Sequence, residues 1–89
     1  VCDASSDLLS RPMAVSNFEL IYACAQKNIG PTGVTIVIGK REIFANSPST
    51  LPILYSYKTY LDSNSLYNTP PVFAIYGVFE MLQWLKRNG

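Results

Sequence analysis

The sequence contains no histidine, which excludes Ser-His-Asp and Cys-His catalysis among these residues. It has two cysteines, Cys2 and Cys24, without a CxxC spacing or an imidazole to complete a metal site, so no metal is expected. Both stand in apolar runs, where a free thiol behaves as a small hydrophobe. Reduced, buried thiols of a cytoplasmic protein are therefore expected. An excess of one charge is also missing. The net charge is +1 and the seven basic residues are scattered. Lys40-Arg41 and Lys86-Arg87 are short solvated pairs, not the clustered cations that nucleic acid or an anionic membrane surface requires. Long apolar runs are absent too. The longest, Val72 to Phe79, falls well below the ~20 residues of a bilayer crossing, and no signal peptide is visible. Neither nucleic acid nor membrane is expected as a partner. Any chemistry must use Lys, carboxylate, Tyr, Ser or a cofactor.

What is present is a globular composition, 48% apolar and 15% charged, unlike that of a disordered chain. Residues 1–3 read as the tail of a strand, and Ala4 to Pro12 as a polar loop with Ser5, Ser6 and Ser10. Phe18 to Cys24 is a short run rich in aromatic and branched residues, expected to be a buried strand. Gly30-Pro31 and Gly33 break the chain over Ala25 to Gly33. Val34 to Ile38 is β-branched throughout and reads as a second full strand. A turn-sized connection predicts an antiparallel pair, because parallel neighbours need a longer crossover. Lys40 to Ala45 is expected to form a short helix and Asn46 to Pro52 a loop. Ile53 to Tyr67 has no firm period and is read as mostly irregular.

The last element is a predicted helix running to about Arg87, with Thr69 as N-cap, Pro70 at the first helical position and Gly89 just beyond. Its polar residues Glu80, Gln83 and Lys86 or Arg87 form one stripe, and nearly all others are apolar. Such a helix needs neighbours on several sides. Two strands and a loop do not supply them, so further sequence or another subunit is expected to. The chain also opens on Val1-Cys2-Asp3 without Met and reads as an excerpt of a longer one.

Three positions suggest chemistry. Lys27 follows a buried strand and precedes a Gly-Pro turn. A lysine there can simply be solvated, but a strand end is a rigid mount, and an apolar wall would disfavour the ammonium form. A neutral amine can condense with an aldehyde. Asp3 ends another apolar strand and is followed by Ser-Ser, which fits an ordinary loop-capping aspartate. It equally fits a carboxylate set against a pyridine nitrogen, which it would keep protonated. Asn68-Thr69 reads as a helix cap, and a capped helix start favours a phosphate.

The segments CDASSDLLSRP, YACAQKNIGPTGVTIVI, SLYNTPPVFAIY and QWLKRNG resemble, in order, consecutive blocks of the phosphoserine aminotransferases, a family of fold-type I pyridoxal-phosphate enzymes. The resemblance implies an α/β fold and a fragment of the large cofactor-binding domain over residues 1–89, with a mixed sheet and flanking helices. It implies pyridoxal 5'-phosphate as cofactor and Lys27 as the Schiff-base lysine and proton shuttle. Asp3 matches the partner of the pyridinium nitrogen, and Gln26 matches a glutamine reaching the cofactor phosphate. Asn68 and Thr69 match the pair that reaches the phosphate of the other subunit's cofactor, hence a homodimer with shared sites. Ser5, Ser6, Ser10 and Arg11 fit the loop after the aspartate, with no role beyond holding it.

The implied activity is amino-group transfer between glutamate and 3-phosphohydroxypyruvate in serine biosynthesis. The residues gripping substrate carboxylate and phosphate lie outside these segments, so the isolated piece is expected to be inactive. Cys24 and Glu19 stand where the family more often has Gly, and Gly39 stands where it has a branched residue. Another fold-type I aminotransferase, or a non-catalytic remnant serving as an interaction module, are the alternatives.

Overall fold

The computed structural model of the protein describes residues 1–88. The chain divides into two compact units. One holds residues 1–38 and the chain from Pro71 onward, the other residues 39–70.

In the first unit, β1 (Cys2–Asp3), β2 (Leu20–Cys24) and β3 (Thr35–Gly39) form a sheet in the order β1-β2-β3. β1 and β2 run parallel, with Cys2 opposite Ile21 and Asp3 opposite Tyr22. β3 makes the sheet mixed. Its connection to β2 runs over residues 25–34 and is closed at its base where the Ala25 N–H donates to the Val34 carbonyl at 2.9 Å, too short for a parallel crossover, as the spacing predicts. Along β2 the side chains alternate, with Ile21 and Ala23 buried and Leu20, Tyr22 and Cys24 half-buried, the period of two that a pleated strand imposes. The core gathers Ala4, Leu8, Ile21, Ala23, Ala25, Ile29 and Val78. Ile21 and Ile29 are its largest fully buried side chains, each stabilising the fold by roughly 1.5–3 kcal/mol through removal from water.

The helix α3 (Val72–Asn88) buries Ala74 and Val78 and half-buries Gly77, Met81 and Leu85, so these residues share one i, i+3/i+4 stripe. The remaining apolar residues stay open, with Phe73 83% and Trp84 52% exposed. Within this unit the helix has neighbours on one side only, as its composition suggested. Its start is later than expected. The Ile75 N–H donates to the Pro71 carbonyl at 3.0 Å, so Pro71 stands at the cap and Thr69 lies outside the helix. The tandem prolines explain the correction: a residue before proline is driven out of the α region, which excludes both Thr69 and Pro70 from the helix. The expectation for Gly89 lies outside the described residues.

The second unit contains α1 (Arg41–Ala45), a 3₁₀ turn at Ile53–Tyr55 and α2 (Tyr57–Asp62). The α2 helix corrects the reading of 53–67 as mostly irregular. It is held by contacts that apolar periodicity does not report. Phe44 and Tyr57 meet edge to face with centroids 5.6 Å apart. The Thr59 hydroxyl donates to the Ile53 carbonyl at 2.7 Å, and Lys58 pairs with Asp62 one turn along at 2.7 Å.

The cysteines also depart from expectation. Cys2 and Cys24 are free thiols but only half-buried; Cys2 lies on the edge strand β1, and Cys24 is the last residue of the central strand β2. The Cys24 Sγ lies 3.7 Å from the Thr35 hydroxyl on β3, so a thiol fits at this strand end without disturbing the sheet.

Candidate active site at the carboxyl ends of two strands

Because β1 and β2 are parallel neighbours, their carboxyl ends lie on the same edge of the sheet. Asp3 is the last residue of β1, and Lys27 lies in the turn that follows β2. In open α/β sheets this edge is where ligands bind.

Asp3 is held by its own loop. The Ser5 N–H and the Ser5 hydroxyl both donate to Asp3 Oδ1, at 3.0 Å and 2.7 Å. The carboxyl is held below its ordinary range by the Ser5 hydroxyl first and the Ser5 N–H next; desolvation opposes them and a hydrogen bond from the Tyr22 side chain adds to them. Bonds to the ionised form favour ionisation. The side chain is exposed and presents a fixed negative charge on the sheet edge.

The Lys27 turn is built the other way, from buried anchors. Ala25 and Ile29 are both fully buried, and the Ala25 carbonyl accepts from the N–H groups of Ile29 at 3.2 Å and Gly30 at 2.9 Å. This coil turns Gln26 and Lys27 outward, where both are exposed. The apolar wall expected around Lys27 is therefore not supplied by this chain: the apolar residues of the turn point into the core, and the lysine faces the opposite way. Among the described residues Lys27 has no hydrogen bond and no ion pair. The turn is clamped onto α3. A Cβ on Gly30 would lie 3.2 Å from Val78 Cγ2, and one on Gly77 would lie 2.6 Å from the Pro31 ring.

Two further residues tie the Asp3 loop to the Lys27 turn. The Ser5 hydroxyl accepts from the Cys24 N–H at 3.0 Å, and the Asn28 amide donates to the Leu8 carbonyl at 2.8 Å. Neither was marked by the sequence beyond loop-holding, since each contact joins residues about twenty positions apart. The available signals were the hydroxyl two residues after Asp3, which favours an Asx-type turn, and the amide next to Lys27. Ser10 and Arg11 serve the loop locally, the hydroxyl donating to the Asp7 carbonyl at 2.6 Å and the guanidinium pairing with the Asp7 carboxylate at 3.2 Å.

Asn68 and Thr69 belong to the other unit. Both are exposed, and the Asn68 amide donates to the Thr69 carbonyl at 3.1 Å. Their side chains do not cap α3 and are open to a ligand. The sheet edge thus offers a fixed anion and an unpaired amine, a set suited to a ligand with a cationic ring nitrogen and a carbonyl carbon.

The sequence matches the Aminotransferase class-V family over residues 1–89. It is 53% identical over 89 residues to a phosphoserine aminotransferase of Halalkalibacterium halodurans, covering 100% of this chain and 25% of that protein. The phosphoserine aminotransferase of Bacillus circulans subsp. alkalophilus superposes with a TM-score of 0.91 at 54% identity, over 96% of this chain and 24% of that structure. A pyridoxal-phosphate-bound phosphoserine aminotransferase from Trichomonas vaginalis superposes with a TM-score of 0.86 at 37% identity, over 98% of this chain and 24% of that structure. The chain spans about a quarter of the length of these relatives.

Proposed function

Because this chain belongs to the class-V aminotransferase family, we propose that it supplies the lysine and the aspartate of a pyridoxal-phosphate-dependent phosphoserine aminotransferase. Residues 1–89 form part of the large cofactor-binding domain in this reading. The observation that carries it is the pairing on one sheet edge of an anionic, hydrogen-bonded Asp3 with the outward-facing Lys27. A second support is that the named relatives are phosphoserine aminotransferases, one of them with pyridoxal phosphate bound.

The cofactor, when bound, supplies an aldehyde that condenses with amines and a ring that withdraws electrons from the substrate carbon. The residues of this chain do the rest. Asp3 is acceptor-only while ionised, so it binds the ring nitrogen only in its protonated form and holds the proton there. Lys27 holds the cofactor covalently through Nζ between turnovers. As a free amine, Lys27 Nζ would carry a proton between the substrate carbon and the cofactor, general acid–base work by one group. The Gln26 amide donates to the cofactor phosphate. Asn68 and Thr69 donate to the phosphate of a second subunit's cofactor, so a homodimer is required. The substrates are the amino and keto acids of the reaction, phosphoserine with 2-oxoglutarate and 3-phosphohydroxypyruvate with glutamate, and the setting is cytoplasmic serine biosynthesis. No described helix is long and apolar enough to cross a membrane.

In the same reading, the exposed apolar side of α3 is covered by further polypeptide, since the relatives are about four times as long. The test is glutamate formation from phosphoserine and 2-oxoglutarate by the native full-length protein. Activity is expected in the wild type and absent in Lys27→Ala. Turnover of another amino acid but not of phosphoserine would overturn the substrate assignment in favour of a different aminotransferase.

A further inference from the structure

The Ser5 side chain has two bonds that run in opposite senses across the two strand ends. Its oxygen accepts from the Cys24 N–H at 3.0 Å, and its proton goes to Asp3 Oδ1 at 2.7 Å. Cys24 ends β2 and Asp3 ends β1, so a single hydroxyl bridges the carboxyl ends of both strands. The direction is fixed by chemistry. A backbone N–H can only donate and an ionised carboxylate can only accept, so the hydroxyl has one orientation and cannot rotate to another partner. Ser5 is half-buried, whereas its neighbour Ser6 is exposed and makes no hydrogen bond among the described residues.

We propose that Ser5 is a positioning residue for the cofactor: its hydroxyl, anchored to the backbone of β2, sets the orientation of the Asp3 carboxylate that receives the ring nitrogen. This rests on the reading of Asp3 given above and extends it. The same β2 end leads directly into the Lys27 turn, so the bridge ties the orientation of the carboxylate to the strand that carries the lysine. A hydroxyl donating to a carboxylate is among the stronger hydrogen bonds, and chains of such bonds polarise one another. The lowering of the Asp3 carboxyl, to which the Ser5 hydroxyl contributes most, agrees with the geometry.

The experiment uses the native full-length protein, stripped of cofactor and titrated with pyridoxal phosphate by absorbance, with the Asp3 carboxyl followed by carbon NMR in the cofactor-free form. Ser5→Ala is expected to weaken cofactor binding about tenfold, the scale of one lost hydrogen bond to a charged group, and to raise the Asp3 titration midpoint. Ser5→Thr, which keeps the hydroxyl, should behave as the wild type, and so should Ser6→Ala. Ser5→Cys keeps the side-chain volume with a weak donor; it should fall with the alanine variant, and it decides the matter if Ser5→Ala does not fold. Wild-type cofactor affinity and an unmoved Asp3 midpoint in Ser5→Ala and Ser5→Cys would overturn this inference alone. A wild type that binds no pyridoxal phosphate would overturn the functional reading beneath it.

Discussion

Replacing Gly77 by alanine sets two effects of opposite sign against each other. Gly77 lies within α3, where alanine is favoured over glycine by about 1 kcal/mol on helix propensity alone. The structure reverses this preference. A Cβ at position 77 would lie 2.6 Å from both Cδ and Cγ of Pro31, well inside van der Waals contact. The Pro31 ring is closed onto its own backbone and cannot swing aside, so the helix and the turn must separate by about 1 Å to restore contact distances near 3.5–4 Å. Overpacking of this kind costs about 1–3 kcal/mol, which leaves a net destabilisation of about 1 kcal/mol. The turn that moves also carries Lys27, so cofactor affinity should fall as well. Urea denaturation of the native full-length protein, wild type and Gly77→Ala, reads the first effect, and absorbance titration reads the second. Pro31→Ala removes the colliding atoms, and a double-mutant cycle should return a coupling of about 1–2 kcal/mol between the two positions. Gly77→Ala that is more stable than the wild type, with no coupling to position 31, would refute the reasoning.

Two other outcomes follow from the same edge of the sheet. Asn28→Ala removes the amide that reaches the half-buried Leu8 carbonyl at 2.8 Å and should cost about 1 kcal/mol in urea denaturation; a variant as stable as the wild type would show the tie to be idle. The lowered Asp3 carboxyl gives a pH signature. A depressed carboxyl stabilises the folded state in full above its usual range, and that contribution is lost as pH falls through the lower folded-state value. The stability gap between wild type and Asp3→Asn should therefore be steady near neutral pH and narrow only below the ordinary value of 3.8. A gap that narrows already near pH 6 would contradict the assignment.

The strands were legible because their signals are local. Val34 to Ile38 is β-branched throughout, and the short connection from β2 left room only for a hairpin. The start of α3 was misread because Thr-Pro looks like a cap until the second proline is counted against it. α2 was missed because YKTYLD has no apolar helical period; its one local signal is the i, i+4 pair of Lys58 and Asp62, and the rest of its support comes from Phe44 and Ile53 outside the segment. At the candidate site, chemical type and strand-end position made Asp3 and Lys27 candidates beside ordinary readings as a loop cap and a solvated lysine, and the family resemblance assigned their roles. Ser5 and Asn28 did not stand out, since their partners Cys24 and Leu8 become neighbours only after β1 and β2 pair. The apolar surroundings expected for Lys27 failed for a related reason: periodicity reports which side of β2 is buried, and it does not report which way the following turn directs its side chains.

The direct measurement is borohydride reduction of the native full-length protein loaded with pyridoxal phosphate, followed by proteolysis and mass mapping of the modified peptide. The adduct is expected on Nζ of Lys27, and Lys27→Ala should yield none. An adduct on Lys40, Lys58 or Lys86, or its complete absence from the wild type, would contradict the proposed role of this chain.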